Sequence, residues 1–225
     1  MSELQRVAAA RLAGLEARSV VASGVEACWA RVSSYLPALD AQPLDPHGDY
    51  AHKIASLELQ GLRIGIGLGS PFRFAVDDHP LTTFLLSCGG QASVRQGGHW
   101  LHNSPEAPGL FLSGEACLCE IRNAHGYAIA ASPERLAASA LAMAESRGMD
   151  TVDLSLLQRP MAVAPVQAST AHVLSLLRTT LQLLDLEPAP GPLQGAMENR
   201  QQQLPIAELI CRQLCALLIP SLVEP

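Results

Sequence analysis

The chain has 225 residues, of which 48% are hydrophobic and 16% are charged, and its formal net charge is −6 at neutral pH. This composition supplies enough apolar side chains for a core and excludes a disordered chain, which combines high charge with low hydrophobicity. Lys53 is the single lysine and the arginines are scattered, so the chain lacks the clustered basic surface that binds nucleic-acid backbones. We expect one soluble folded domain with a helical appendage.

The six cysteines form neither a dense disulfide framework nor the paired CxxC spacing of a zinc site. Reduced thiols in the cytoplasm fit this pattern. The first 20 residues carry charges throughout, whereas a signal peptide needs an apolar core, and no later apolar run reaches the length that spans a bilayer. We therefore expect a cytoplasmic protein that makes no contact with membranes.

The N-terminal segment is rich in alanine, and its apolar residues recur at steps of three or four. This spacing predicts an amphipathic helix, or a broken pair of helices, over residues 2–36. Pro37, Pro43 and Pro46 then interrupt regular structure, because proline lacks a backbone donor. We assign residues 1–46 to an N-terminal helical segment and linker.

Residues 53–131 read as short strands separated by glycine and proline, which is typical of a small antiparallel barrel or jelly roll. The pairs Gly89-Gly90 and Gly97-Gly98 supply the positive φ angles that tight hairpin turns need, so we expect two hairpins that bracket one brief strand. Ser132 and Pro133 predict a helix start, and Gly148 predicts its end. With one further strand expected within 149–165, the barrel and its helix occupy residues 47–165.

Two leucine-rich stretches, 172–187 and 205–222, predict a C-terminal helix hairpin over residues 166–225. The predicted fold class is therefore α+β, a cupin-like antiparallel barrel with an N-terminal helix and a C-terminal helix hairpin. The apolar residues of the hairpin cover more than a narrow stripe, so each helix packs on two neighbours: the second neighbour is either a second subunit or the barrel base. The candidates for a dimer interface are Ile206, Leu209, Ile210, Leu214 and Leu217.

The runs LELQGLRIGIGLGSPFRF, GGQASVRQGG, PEAPGLFLSG and IAASPERLAA, in this order, resemble the N-terminal domain of AraC-type transcription regulators. The resemblance covers roughly residues 50–222 and includes the leucine-rich hairpin. It implies a barrel that binds a small-molecule effector, helices that pair two subunits into a homodimer, and DNA binding by a following domain. That following domain has no counterpart in these residues, so we expect DNA contact only through a domain absent from this chain.

Catalytic cupins hold their metal with an HxH pair, because the period of two places both imidazoles inside the barrel. Here His99 and His102 are three apart and point to opposite faces of a strand. We therefore expect no metal, no cofactor and no catalytic residue, so the chain is not an enzyme. The alternatives are a small metal-dependent cupin isomerase or oxygenase, and a stand-alone interaction module.

A cupin-like barrel offers an apolar cavity at its mouth, and aromatic residues in the strands are candidates to line it. Cys117 and Cys119 share one side of a strand, where they face either a pocket, with redox sensing as one role, or an ordinary apolar core. Ordinary core packing is also the alternative to ligand binding for the aromatic residues. The full set of ligand-binding candidates is Phe72, Phe74, Phe84, Trp100, Cys117, Cys119 and Tyr127.

Overall fold

The computed structural model describes residues 2–33, 38–186 and 196–223. Five α-helices are described: α1 (Glu3–Ala9), α2 (Val25–Ser33), α3 (Pro133–Ser146), α4 (Ala168–Leu183) and α5 (Ala196–Leu218). The described strands are β1 (Val20–Ser23), β2 (Ala38–Pro43), β3 (Ala51–Leu59), β4 (Leu62–Gly69), β5 (Phe72–Val76), β6 (Thr82–Gln96), β7 (His99–Asn103), β8 (Gly109–Leu112), β9 (Cys117–Ala131) and β10 (Met161–Val163). This content confirms the predicted α+β class.

The two longest strands, β6 and β9, pair with each other and hold the barrel together. One half of this pair belongs to a layer with the order β1-β3-β4-β9-β6-β8-β10. The other half pairs with β5 and β7, and β5 in turn pairs with β2. Every described pair is antiparallel, which confirms the predicted antiparallel jelly roll, although β6 and β9 were each predicted as two short strands.

The two glycine pairs have different structural roles. Gly97 and Gly98 have φ angles of 56° and 82° and close the β6–β7 hairpin, as predicted. Gly89 and Gly90 do not form a hairpin, because β9 continues opposite them and only the register shifts there. Gly90 has φ 68°, and a Cβ at this position would lie 2.1 Å from the carbonyl oxygen of Asn123, which itself has φ 53°. The prediction of a brief separate strand was therefore wrong: β6 is one strand that bends at Gly89-Gly90.

The N-terminal segment is a broken pair of helices with a strand between them that the sequence pattern did not predict. β1 pairs with β3, placing Val20 opposite Ile54, and β2 pairs with β5. The β-branched Val20 and Val21 favour a strand, and β1 can pair along the edge of β3, which explains why β1 extends despite its alanine-rich surroundings. Residues 34–36 of the predicted helix lie outside the described residues. The division of the chain at residues 46 and 165 stays a prediction.

The later helices follow the predicted signals. The Ser132 hydroxyl accepts a hydrogen bond from the backbone N–H of Arg135 at the start of α3, and Gly148 follows the helix with φ 66°. β10 supplies the strand expected within 149–165. α5 begins at Ala196, well before the predicted start at residue 205, because Pro205 is accommodated inside the helix. Residues 187–195 of the predicted hairpin lie outside the described residues.

A large apolar core lies between the sheet and the helices α3, α4 and α5. The strand face that enters this core, here called the helix-facing side, carries Ile64 and Ile66 of β4 and Ile129 of β9, all nearly fully buried. α4 contributes Leu177 and α5 contributes Ile210. Among the described helices, none combines the length and apolar character that crossing a bilayer requires. The opposite face of the same strands, here called the lumen side, points into the barrel.

Candidate ligand-binding cavity

A cavity of about 140 Å³ lies on the lumen side of the barrel. Residues paired across antiparallel strands point to the same face of a sheet, so the pairs Gly67–Gly126 and Leu85–Ala128 both face this cavity. Residues from both layers contribute to its wall, including Phe72 of β5. The strands of the barrel therefore form most of the cavity wall, and Val32 of α2 also contributes to it.

One wall of the cavity is made of backbone and very small side chains. Along β4, the large residues point to the helix-facing side, while Gly65, Gly67 and Gly69 line the cavity. Gly126 and Ala128 of β9 extend this wall. Glycine is unfavourable inside a strand because it adds no packing and loses much conformational freedom, so its repetition marks a place where something approaches the backbone closely. At Gly67 and Gly69 this is the His52 imidazole, since a Cβ would lie 3.2 Å from His52 Nε2 at Gly67 and 3.0 Å from His52 Cδ2 at Gly69. The motif GIGLG carried this signal in the sequence, and the strand prediction did not use it.

Another part of the wall is aromatic. The rings of Phe72 and Phe74 stack with centroids 5.2 Å apart and an interplanar angle of 18°. The imidazole of His52 lies 5.6 Å from the Phe72 ring, and Tyr50 meets the same ring edge-on at 5.9 Å. These four rings form a preorganised cluster beside the cavity.

Three buried polar atoms in residues that line the cavity have no hydrogen-bond partner: His52 Nδ1, Thr83 Oγ1 and Ser113 Oγ. A buried polar atom without a partner costs about 1–3 kcal/mol, and native proteins contain few of them. Two further atoms of this kind occur among the described residues, one on Gln213 and one on Tyr127, which also borders the cavity but whose hydroxyl lies against Gly14. Since three of the five belong to one cavity, the cavity is suited to a bound molecule that supplies the missing partners.

The cavity is electrically neutral at neutral pH. Of the described residues that line it, none is an aspartate, glutamate, lysine or arginine. Burial lowers the pKa of His52 to about 4, and burial is also the main reason that the pKa values of His79 and His125 are lowered. His125 Nε2 accepts a hydrogen bond of 3.0 Å from the backbone N–H of Ala13, which requires an unprotonated ring nitrogen.

Similarity to known proteins is found at the level of structure. No protein-family model matches this sequence, and no curated protein does. Among solved structures, the chain is similar to the AraC-like transcriptional activator CuxR, with a TM-score of 0.59 and 12% sequence identity over 89% of this chain and 69% of that one. The chain therefore shares the overall fold of this activator. At this identity the likeness shows the fold alone.

Two cupin domains align less closely with this cupin-like barrel. The cupin domain of Cnp3 from Schizosaccharomyces pombe aligns with a TM-score of 0.30 and 12% identity over 51% of this chain and 79% of that one. The cupin domain of an XRE family transcriptional regulator from Enterobacter cloacae aligns with a TM-score of 0.25 and 13% identity over 43% of this chain and 98% of that one.

Five of the seven predicted ligand-binding residues line the cavity: Phe72, Phe74, Cys117, Cys119 and Tyr127. The two sulfur atoms lie 3.8 Å apart. The hydrogen bond between the thiols lowers the pKa of Cys117 and, together with burial, raises that of Cys119. Cys117 is half-buried, so its sulfur is the more accessible of the two.

The other two predicted residues, Phe84 and Trp100, do not line the cavity, which corrects the expectation that all the aromatic residues share one interior. Phe84 lies on the helix-facing side, because it alternates with Thr83 and Leu85 along β6. Trp100 lies on β7 and is 45% exposed, with its ring stacked on His102. Tyr127 borders the cavity, but its hydroxyl lies against Gly14 and its ring belongs to the core beneath the helices.

The five predicted interface residues of α5 do not share one exposed face. Ile210, Leu214 and Leu217 are buried inside this chain, because α5 packs against both α3 and α4. Ile206 is half-buried against the same core, and Leu209 is 44% exposed. This corrects the assignment of the three buried residues to a subunit interface.

The histidines on β7 do not form part of a metal cluster in the described part of the chain. His99 and His102 are exposed, and His102 Nδ1 lies 2.8 Å from the hydroxyl of Ser93. Within residues 2–33, 38–186 and 196–223, no group of three or more His, Cys, Asp or Glu side chains is placed to hold a metal ion.

Proposed function

We propose that this chain is the effector-binding and dimerisation part of a transcription regulator of AraC type. One observation carries the proposal: a barrel with the fold of such a regulator encloses a neutral cavity in which three buried polar atoms lack partners. A ligand that pairs these atoms gains affinity from groups that destabilise the empty protein. An effector site of this kind needs no catalytic group.

Regulation requires that the effector bind one arrangement of the protein more tightly than another. The same strands contact both the cavity and the helices, since Gly67 lines the lumen while its neighbour Ile66 packs beneath the helices. A ligand that changes the spacing of β4 and β9 therefore also changes the surface on which the helices rest. We propose this shared pair of strands as the link between effector and helices.

Self-association is proposed to use the exposed apolar residues of the helix hairpin, in place of the buried residues of α5. Leu176 and Leu183 lie two turns apart on α4 and are 43% and 45% exposed, and Leu209 of α5 is exposed to a similar extent. DNA binding would come from a domain outside this chain, because the net charge of −6 does not favour contact with phosphates. We place the regulator in the cytoplasm, in line with its lack of disulfides between described cysteines.

The dimer is tested by sedimentation of the purified chain. The double variant Leu176→Glu/Leu183→Glu is expected to sediment as a monomer under conditions in which the unmodified chain is a dimer. Leu141→Glu on α3 is the matched control, since Leu141 is 51% exposed on a different helix. A monomeric unmodified chain, or a dimer that the double variant leaves intact, contradicts this part of the proposal.

The effector site is tested by screening small molecules for those that raise the melting temperature of the purified chain. Ala128→Leu adds bulk to the small-residue wall of the cavity, so it is expected to abolish the shift given by true ligands. Compounds that stabilise both proteins equally bind elsewhere and contradict the proposed site. Stoichiometric metal in the purified protein would instead support the small cupin enzyme.

A further inference from the structure

We infer that the cavity selects an uncharged aromatic molecule with one hydroxyl or carbonyl group, and that it rejects carboxylates and amines. This inference rests on the proposed function, since it names the chemical class of the effector that the cavity binds. It follows from three separate properties of the wall: its charge, its shape and its unpaired polar atoms.

The charge of the surroundings excludes ionic ligands. Transfer of an ion from water into a protein interior costs several kcal/mol unless an opposite charge meets it. The charged residues next to His52 and between the two phenylalanines, Lys53 and Arg73, point away from the cavity, because they alternate with lining residues. Lys53 follows His52 but binds Glu16 and the carbonyl oxygens of the N-terminal segment. Arg73, between the two phenylalanines, pairs with Glu120.

The shape of the wall favours a flat ring. Gly65, Gly67 and Gly69 line the cavity without side chains, and the flat imidazole of His52 lies against Gly67 and Gly69. The stacked pair Phe72 and Phe74 lines the cavity from the other layer. A planar molecule can pack against these aromatic faces more closely than a branched one. A volume of about 140 Å³ limits the occupant to a small molecule.

The unpaired atoms select for a polar group on that ring. The neutral imidazole of His52 and the hydroxyls of Thr83 and Ser113 can each donate or accept one hydrogen bond. An alcohol, phenol or carbonyl compound can form a hydrogen bond with at least one of these groups. A hydrocarbon of the same shape leaves all three atoms unpaired, so it binds more weakly.

The test uses four molecules with one ring and different polar groups: benzyl alcohol, benzoate, benzylammonium and toluene. Dissociation constants are measured for the purified chain by NMR titration at neutral pH. Benzyl alcohol is expected to bind about ten-fold or more tightly than each of the other three, which corresponds to the cost of one unpaired buried polar atom. Benzoate or benzylammonium binding as tightly as benzyl alcohol overturns the inference, and so does the absence of binding by all four.

Three variants locate the polar contacts. Thr83→Val, Ser113→Ala and His52→Leu each remove one unpaired atom, and at least one of them is expected to weaken the binding of benzyl alcohol while leaving that of toluene unchanged. Thr180→Val is the matched control, because Thr180 is buried in α4 away from the cavity. Unchanged affinity in all three variants overturns the inference.

The outcome also separates this inference from the proposed function. A charged compound from the screen whose binding Ala128→Leu abolishes would refute the inference on ligand class and leave the effector site in place. If Ala128→Leu affects the binding of no compound, the effector site and the ligand class both fail.

Discussion

The two sides of β4 differ more than any other neighbouring parts of this molecule. On the helix-facing side, Ile64, Ile66 and Leu68 are buried in the core that joins the sheet to the helices. On the lumen side, glycines alternate with them and line the cavity, with the His52 imidazole against Gly67 and Gly69. Polar atoms buried on the helix-facing side mostly find partners, whereas three on the lumen side have none. β4 thus separates the core residues that stabilise the fold from the residues that line the candidate cavity.

The largest expected effect is on the helix-facing side. Phe84→Ala removes a fully buried ring from the core and is expected to lower the free energy of unfolding by about 3–5 kcal/mol, measured by urea denaturation. The milder variant Phe84→Leu should remain folded and bind benzyl alcohol with unchanged affinity, because Phe84 does not line the cavity. A loss of affinity in Phe84→Leu would show that the two sides are not independent.

The next effect concerns His52 on the lumen side. Its pKa is about 4 in the folded protein, against an ordinary value of 6.5 in an unfolded chain, so the unfolded chain binds its proton first as the pH falls. The contribution to stability is complete above the unfolded value and is lost between 6.5 and about 4. From about pH 7 to about pH 5 the free energy of unfolding should fall by on the order of 2 kcal/mol through this group. An equal fall in His52→Gln, measured by denaturation at both pH values, would contradict this.

A matched pair of Thr→Val substitutions should act in opposite directions. Thr180 donates to the Leu176 carbonyl and accepts from Gln213 Nε2 at 3.0 Å, so Thr180→Val is expected to cost about 1 kcal/mol or more. The hydroxyl of Thr83 has no partner, so Thr83→Val should leave stability unchanged or raise it by up to about 1 kcal/mol. Urea denaturation of both variants checks the signs. A destabilised Thr83→Val would show that its hydroxyl is paired in the empty protein.

The smallest effect leaves stability unchanged and is seen in chemical reactivity. The hydrogen bond from Cys119 lowers the pKa of Cys117, whereas burial raises the pKa of Cys88, Cys211 and Cys215. Limited iodoacetamide should therefore modify Cys117 before these other cysteines, as followed by peptide mass spectrometry. Bound benzyl alcohol should slow this reaction, because Cys117 lines the cavity. Faster labelling of Cys211 or Cys215 would show that the core beneath the helices opens more easily than the lumen.

Local signals in the sequence were sufficient for much of the fold. The period of two predicted most of the strands, Gly97-Gly98 predicted the β6–β7 hairpin, and Ser132 and Gly148 predicted the limits of α3. The bend at Gly89-Gly90 was mistaken for a turn, because a glycine pair has the same local preference in both settings. Only the pairing with β9 distinguishes them.

The candidate site was predictable where neighbours along one strand decide it. Phe72 with Phe74, and Cys117 with Cys119, share a side through simple alternation. Phe84 has the same character, but its side depends on which face of β6 the helices cover, and this is a tertiary property. The unpaired hydroxyls of Thr83 and Ser113 could not be predicted from the sequence either, since the lack of a hydrogen-bond partner is visible only in the folded structure.

The close approach of Gly90 to Asn123 has a consequence for which residue this point of the barrel tolerates. Both residues have positive φ, and both lie where the register between the two long strands shifts. A Cβ at position 90 would lie 2.1 Å from the Asn123 carbonyl oxygen, so any larger residue would push the two strands apart. Glycine at position 90 is therefore required by the crossing of the strands itself, whatever the cavity binds.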